Sequence, residues 1–273
     1  MDPSIQIFLL CVGLGAIVGL LAGLLGIGGG LIIVPALVFM LHIFLDIDIG
    51  LSMPIAVATS LSTVIMTGLS SAHSHYRLSN LDRNIIMYCA IGIAFGATLG
   101  AQFASHISGV MLQRIFAVLV IVIALQMVLG SRKRKPQIAR AHSLSHSGLA
   151  TIGLGTGFIA ALMGIGGGAL IVPALVWFKV NIRKAIGCAA FSGIVIALFG
   201  TASFVYTGWS VENLPSGSLG YVYLPATLGI ISTSMLTAPF GARFGQRIDT
   251  SNLKRLFAGF LVLVSLRMII GIE

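Results

Sequence analysis

Gly26-Ile-Gly-Gly-Gly30 and Gly164-Ile-Gly-Gly-Gly168 interrupt two otherwise apolar stretches of this chain. Each glycine loosens a helix by about 1 kcal/mol relative to alanine, so two such turns need a reason. A glycine turn that leads into a helix aims several backbone N–H groups at one point, where the helix dipole favours an anion. Gly26, Gly28, Gly29 and Gly30, with Gly164, Gly166, Gly167 and Gly168, are therefore candidate anion ligands. The competing reading is a tight hairpin tip that only allows helices to pack closely. A Cβ added at Gly29 or Gly167 would intrude where an anion should approach, and would penalise any left-handed conformation by about 1–2 kcal/mol.

Hydroxyls form the second group. Thr59, Ser60, Ser62 and Thr63 cluster in the first full span after the first turn, and Ser192 lies in the corresponding span of the second half. Thr59, Ser60, Ser62 and Ser192 are candidate substrate contacts. The alternative is that they bond back to their own helix or to a neighbour. Gln102 and Arg243 follow equivalent glycines near span ends, where snorkelling toward the interface competes with substrate contact. His73 and His75, at one span end, could sense pH or simply be solvated.

The elements that must position these residues are membrane helices. The chain is 57% hydrophobic and 8% charged, with a mean hydropathy of +1.06, against about 25% charged residues in soluble domains. Its net charge of +9 resides in short loops, which argues for positive-inside loops and against nucleic acid. Cys11, Cys89 and Cys188 each sit in an apolar run with no metal-ligand spacing. Runs of spanning length occur at about 4–25, 53–73, 84–104, 110–130, 148–165, 185–207, 220–241 and 256–272. Two shorter runs, about 31–45 and 169–178, follow the glycine turns.

The halves repeat. Gly19–Val38 and Gly157–Val176 are identical at fourteen of twenty positions, each with a proline (Pro35, Pro173) five residues past the triplet. Leu112-Gln-Arg-Ile-Phe-Ala likewise matches Leu253-Lys-Arg-Leu-Phe-Ala. The expected organisation is a first transmembrane repeat over 1–130, a basic cytoplasmic linker over 131–147 and a second repeat over 148–273. Arg132, Lys133, Arg134 and Lys135 before the second glycine unit, and Lys179, Arg183 and Lys184 after it, put both flanks on the cytoplasmic side. That unit must then return to the face it came from, as a hairpin that is either re-entrant or crosses twice. The expected fold is an all-α polytopic membrane protein of two inverted repeats. Each is a Gly-broken helical hairpin followed by three transmembrane helices, and both termini lie outside. Fourteen of the sixteen Lys and Arg residues then face the cytoplasm. The stripes Gly15/Gly19/Gly23, Gly92/Gly96/Gly100 and Gly153/Gly157/Ala161 read as close helix packing.

Paired broken helices in two halves point to a transporter. No Asp or Glu falls within a predicted span, so a carboxylate proton relay has no residues to use. Motifs for zinc hydrolysis, nucleotide binding or a nucleophile elbow are missing, so neither an enzyme nor a cofactor or metal site is expected.

The duplicated Gly-x-Gly-Gly-Gly-x-x-x-Val-Pro pattern, opening two halves of similar length, resembles the TauE/SafE family of sulfite and organosulfonate transporters, relatives of the toluene sulfonate uptake permeases. The resemblance covers essentially the whole chain. It implies secondary transport, often export, of small sulfur-containing anions such as sulfite or sulfoacetate across a bacterial inner membrane. A passive anion channel, or a carrier of another small organic anion, is the alternative. The expected partners are a small anionic substrate and the lipid bilayer, with a homodimer left open and no nucleic acid.

Overall fold

The computed structural model describes residues 3–25, 29–77, 82–130, 145–178, 180, 182–245 and 251–270. Gly26, Gly28 and the basic part of the linker lie outside these residues, as do the side chains of His73 and His75. Ten helices account for nearly all of the described chain: α1 Pro3–Leu25, α2 Gly30–Leu45, α3 Ile49–Arg77, α4 Arg83–His106, α5 Gly109–Gly130, α6 His146–Met163, α7 Gly168–Trp177, α8 Ile182–Gly208, α9 Leu224–Gly245 and α10 Ser251–Ile270. The fold is an all-α polytopic membrane fold. Both short helices open on the last glycine of a triplet, and Pro35 and Pro173 sit inside them. At 1.5 Å rise per residue, the 16 residues of α2 and 10 of α7 reach about 24 and 15 Å.

Six described helices are long and apolar enough to cross a membrane. The runs expected at 220–241 and 256–272 are not among the six. Thr227, Ser232, Thr233, Ser234 and Thr237 dilute α9, and Lys254, Arg255 and Arg267 dilute α10. The first of these runs is also mis-started. Residues 218–223 form a two-stranded antiparallel hairpin, β1 Ser218–Leu219 with β2 Val222–Tyr223, before α9 begins at Leu224.

Glycine stripes create the tightest pairings. A Cβ on Gly92, Gly96 or Gly100 of α4 would overlap the carbonyls of Ala150, Leu154 or Phe158 on α6, and Gly153 meets Cys89 in return. Gly15 and Gly19 of α1 lie against Ile230 and Ser234 of α9 in the same way. Such contact lets backbones approach where no side chain keeps them apart. In both pairs the contacts advance together along the two sequences, so α1 runs parallel to α9, and α4 to α6.

Other contacts extend these directions. Tyr223 and Thr227 bond Thr59 and Ser62, so α9 also runs parallel to α3. Ser203 and Thr207 bond Thr98 and Ser105, so α8 runs parallel to α4. Helices α3 and α8 cross antiparallel at the centre, with Gly68 against Ile194 and Gly200 against Leu61. Residues 53–61 of α3 are buried without exception, so this helix is the axis of the core.

Candidate functional site

The second glycine turn is described throughout. Gly164 caps α6 in the left-handed region at φ 64°, and its N–H donates to the carbonyls of Ala160 and Ala161. Ile165 then donates to Ala160, which reverses the chain within one turn. Gly167 returns to helical geometry at φ −59° and its carbonyl accepts from Leu170 and Ile171, starting α7. The N–H groups of Gly166, Gly167, Gly168 and Ala169 find no acceptor among the described residues. A helix leaves its first N–H groups unpaired by geometry. Here Gly166 and Gly167 lie in the interior with Gly164 and Ile165, while Gly168 and Ala169 are half-buried.

The first turn meets the second. A Cβ on Gly30 would overlap the Gly164 carbonyl and crowd Ile165. Gly29, at φ −78°, accepts from Ile32 and Ile33 just as Gly167 accepts from Leu170 and Ile171. Gly29 and Gly167 are therefore not left-handed, so a penalty on left-handed geometry does not arise at these two positions. The positive φ belongs to Gly164, three residues before Gly167. A Cβ at Gly29 or Gly167 would instead meet side-chain carbons, Val18 and Ile33 in one case and Ile171 and Ile196 in the other.

The hydroxyls divide. Ser60 Oγ donates to the Gly164 carbonyl at 2.6 Å, tying α3 of the first half to the turn of the second. Ser62 Oγ donates to Thr59 O at 2.6 Å and faces Thr227 Oγ1 at 2.8 Å, while Thr59 Oγ1 accepts from Tyr223 N at 3.0 Å. Thr59 and Ser62 thus hold α3 to the hairpin and α9, the packing role that competed with substrate contact. Ser192 is 1% exposed, and no hydrogen-bond partner is found for it among the described residues. Beside it, a Cβ on Gly193 would lie 3.5 Å from Gly167 N, so this stretch of α8 borders the unpaired N–H groups.

Val57 and Val34 press on Gly164, Val64 on Gly166, and Ile196 on Gly167. The tips are thus enclosed by apolar side chains and small residues. Among the described residues no group of three or more His, Cys, Asp or Glu comes together that could hold a metal ion. Arg243 is exposed. Gln102 lines a groove of about 470 Å³ on α4 and α8 with Ile91, Phe95, Thr98, Leu99 and Phe199. Gly193 and the Tyr223–Thr59 bond escaped sequence reasoning. Gly193 had a usable signal, a small residue next to the unmatched Ser192.

Residues 11–268 match the sequence profile of the family described as Sulfite exporter TauE/SafE. The chain belongs to the TauE/SafE family. Among its relatives, a probable membrane transporter protein of Haemophilus influenzae is 39% identical over 260 residues, covering 95% of this chain and 97% of that one. Probable membrane transporter protein YunE of Bacillus subtilis is 26% identical, covering 96% and 97%. A probable membrane transporter protein of Methanocaldococcus jannaschii is 28% identical, covering 94% and 93%. No solved structure matches. With this family, these relatives and six helices of spanning length, this TauE/SafE protein is a multi-pass membrane transporter.

Proposed function

We propose that this TauE/SafE protein is a secondary transporter of small sulfur-containing anions, such as sulfite, sulfoacetate or related organosulfonates, that exports them by alternating access. The anion sits where the two glycine turns meet. Four N–H groups at the start of α7, those of buried Gly166 and Gly167 and half-buried Gly168 and Ala169, have no acceptor among the described residues and carry this reading. A pyramidal or tetrahedral oxyanion accepts hydrogen bonds all round. Backbone donors at a helix N-terminus supply them without a lysine that would hold the anion too tightly. Gly30 and Ser60 bring the first half to the same point, and Ser192 and Gly193 close the far side.

The packing directions support two inverted repeats. α1, α3 and α9 run one way and α4, α6 and α8 the other, so α1, α3 and α4 each oppose their counterparts α6, α8 and α9. Each hairpin then returns to its own face, which agrees with the loop charges: cytoplasmic linker, both termini outside, bacterial inner membrane. Asp82 and Lys184, paired at 2.9 Å, would lie on the cytoplasmic face.

Counterflow in proteoliposomes tests this. Liposomes preloaded with unlabelled sulfite should accumulate labelled sulfite saturably, and sulfoacetate should compete. Non-saturable flux would indicate a channel, and counterflow with a carboxylate but no sulfur oxyanion would overturn the substrate class.

A further inference from the structure

The hairpin at 218–223 breaks the match between the halves. In the first half α3 connects to α4 through residues 78–82, whereas in the second α8 connects to α9 through 209–223. Much of this chain is exposed, Trp209 and Leu219 included, but its last four residues are buried. Val222 and Tyr223 are 3% and 1% exposed, and Tyr221 is 8% exposed. Gly217 and Gly220, both at positive φ, shape the turn, and a Cβ on Gly220 would overlap the Val205 carbonyl. The Tyr221 ring meets Phe204 edge-on at 6.2 Å, and Tyr221 N donates to Phe204 O at 3.4 Å. The hairpin therefore fills the space between the end of α8, the start of α9 and the middle of α3.

Its anchor on α3 is Thr59, whose Oγ1 accepts from Tyr223 N, one residue from the Ser60 that touches the glycine turn.

We propose that the hairpin is a plug over one of the two access routes to the glycine tips, latched by Thr59. The hairpin closes the route on the face where α8 ends and α9 begins. Transport requires the plug to lift, which breaks the Tyr223–Thr59 bond and frees α3 beside Ser60. The proposal rests on the tips being the transport site.

The test is chemical access to the tip. In protein with Cys11, Cys89 and Cys188 replaced by serine, Ser60→Cys is exposed to a membrane-impermeant thiol reagent from each face separately. Modification is read at position 60 by peptide mass. With the plug intact, reaction from the hairpin face should be at least several-fold slower than from the opposite face. Adding Thr59→Val should raise the hairpin-face rate several-fold. Because that variant sits in the core, a second one is needed. Cysteines replacing Phe204 and Tyr221, oxidised to a disulfide, should abolish the residual reaction from the hairpin face, with reductant restoring it. Equal access from both faces with the plug intact overturns the proposal. So does an unchanged rate in monodisperse Thr59→Val protein, or in the oxidised pair. None of these readouts needs an anion, so a protein that fails sulfite counterflow can still pass or fail here.

Discussion

Glycines in the α4–α6 stripe and glycines in the α6–α7 turn look alike in sequence, yet they leave the backbone in opposite states. Gly92, Gly96 and Gly100 lie within a continuous helix, where their N–H groups are paired, and the missing side chain lets α6 seat its carbonyls against them. Gly166, Gly167 and Gly168 lie where one helix has ended and the next has barely begun, so their N–H groups have no acceptor among the described residues, the first two buried and the third half-buried. The stripe uses glycine for closeness, and the turn uses it for donors. A substitution should therefore lower stability in the first region and affinity in the second.

Gly164 belongs to both regimes and should give the largest effect. Alanine there must adopt φ 64° and place its Cβ about 3 Å from Val57 O, Val57 Cα and Val34. The left-handed conformation alone costs about 1–2 kcal/mol. Gly164→Ala should lower both thermal stability and transport, and a variant that melts like the parent would show that the turn is not a fixed hinge.

Next come the stripes. Gly96→Ala forces α4 away from the Leu154 carbonyl, and overpacking of this kind costs typically about 1–3 kcal/mol. Thermal unfolding should shift clearly downward while the surviving fraction binds its anion normally.

Ser60→Ala removes one hydrogen bond to Gly164 O, worth about 1 kcal/mol. Anion affinity should fall by less than tenfold and stability slightly. A variant with lost affinity and intact stability would move Ser60 from positioning the turn to touching the anion.

The smallest effect is expected at Asp82. Its carboxyl is held below the ordinary carboxylate range, first by the hydrogen bond from Lys184, against a smaller opposing effect of burial. A depressed folded-state value stabilises above the unfolded carboxylate range and is lost as pH falls through the folded one, so the contribution is constant around neutrality. Asp82 also caps α4 by accepting from Ile85 N at 3.5 Å. As a part-exposed pair it contributes little. Asp82→Asn should leave the pH dependence of transport intact near neutrality; loss of that dependence would make Asp82 a proton relay.

The repeat made much of this legible. Gly164–Gly168 had to be a break because its copy recurs, and the stripes had to pack because they recur every four residues along helices. Three features escaped. Consecutive glycines conceal which one bends, and in the second turn the left-handed residue is Gly164. The hairpin was hidden because Tyr221-Val-Tyr223 continues the apolar run of α9, and two-residue strands have no periodicity to detect; Asn213, Pro215, Gly217 and Gly220 were cues to a turn. The partners of Thr59 and Ser62, Tyr223 and Thr227, lie more than 160 residues away in sequence, a distance that local pattern cannot bridge.

The most direct test of the contrast between turn and stripe is anion affinity in Gly167→Ala set against Gly96→Ala, both measured on purified, monodisperse protein by titration with sulfite. A Cβ at Gly167 meets only the ends of the Ile171 and Ile196 side chains, which can yield, and it sits among the unpaired N–H groups. Gly167→Ala should bind at least several-fold more weakly with a near-parental melting temperature, while Gly96→Ala should melt lower and bind normally. Normal binding by Gly167→Ala, with weakened binding by Gly96→Ala, would contradict this contrast and move the site away from the glycine turns.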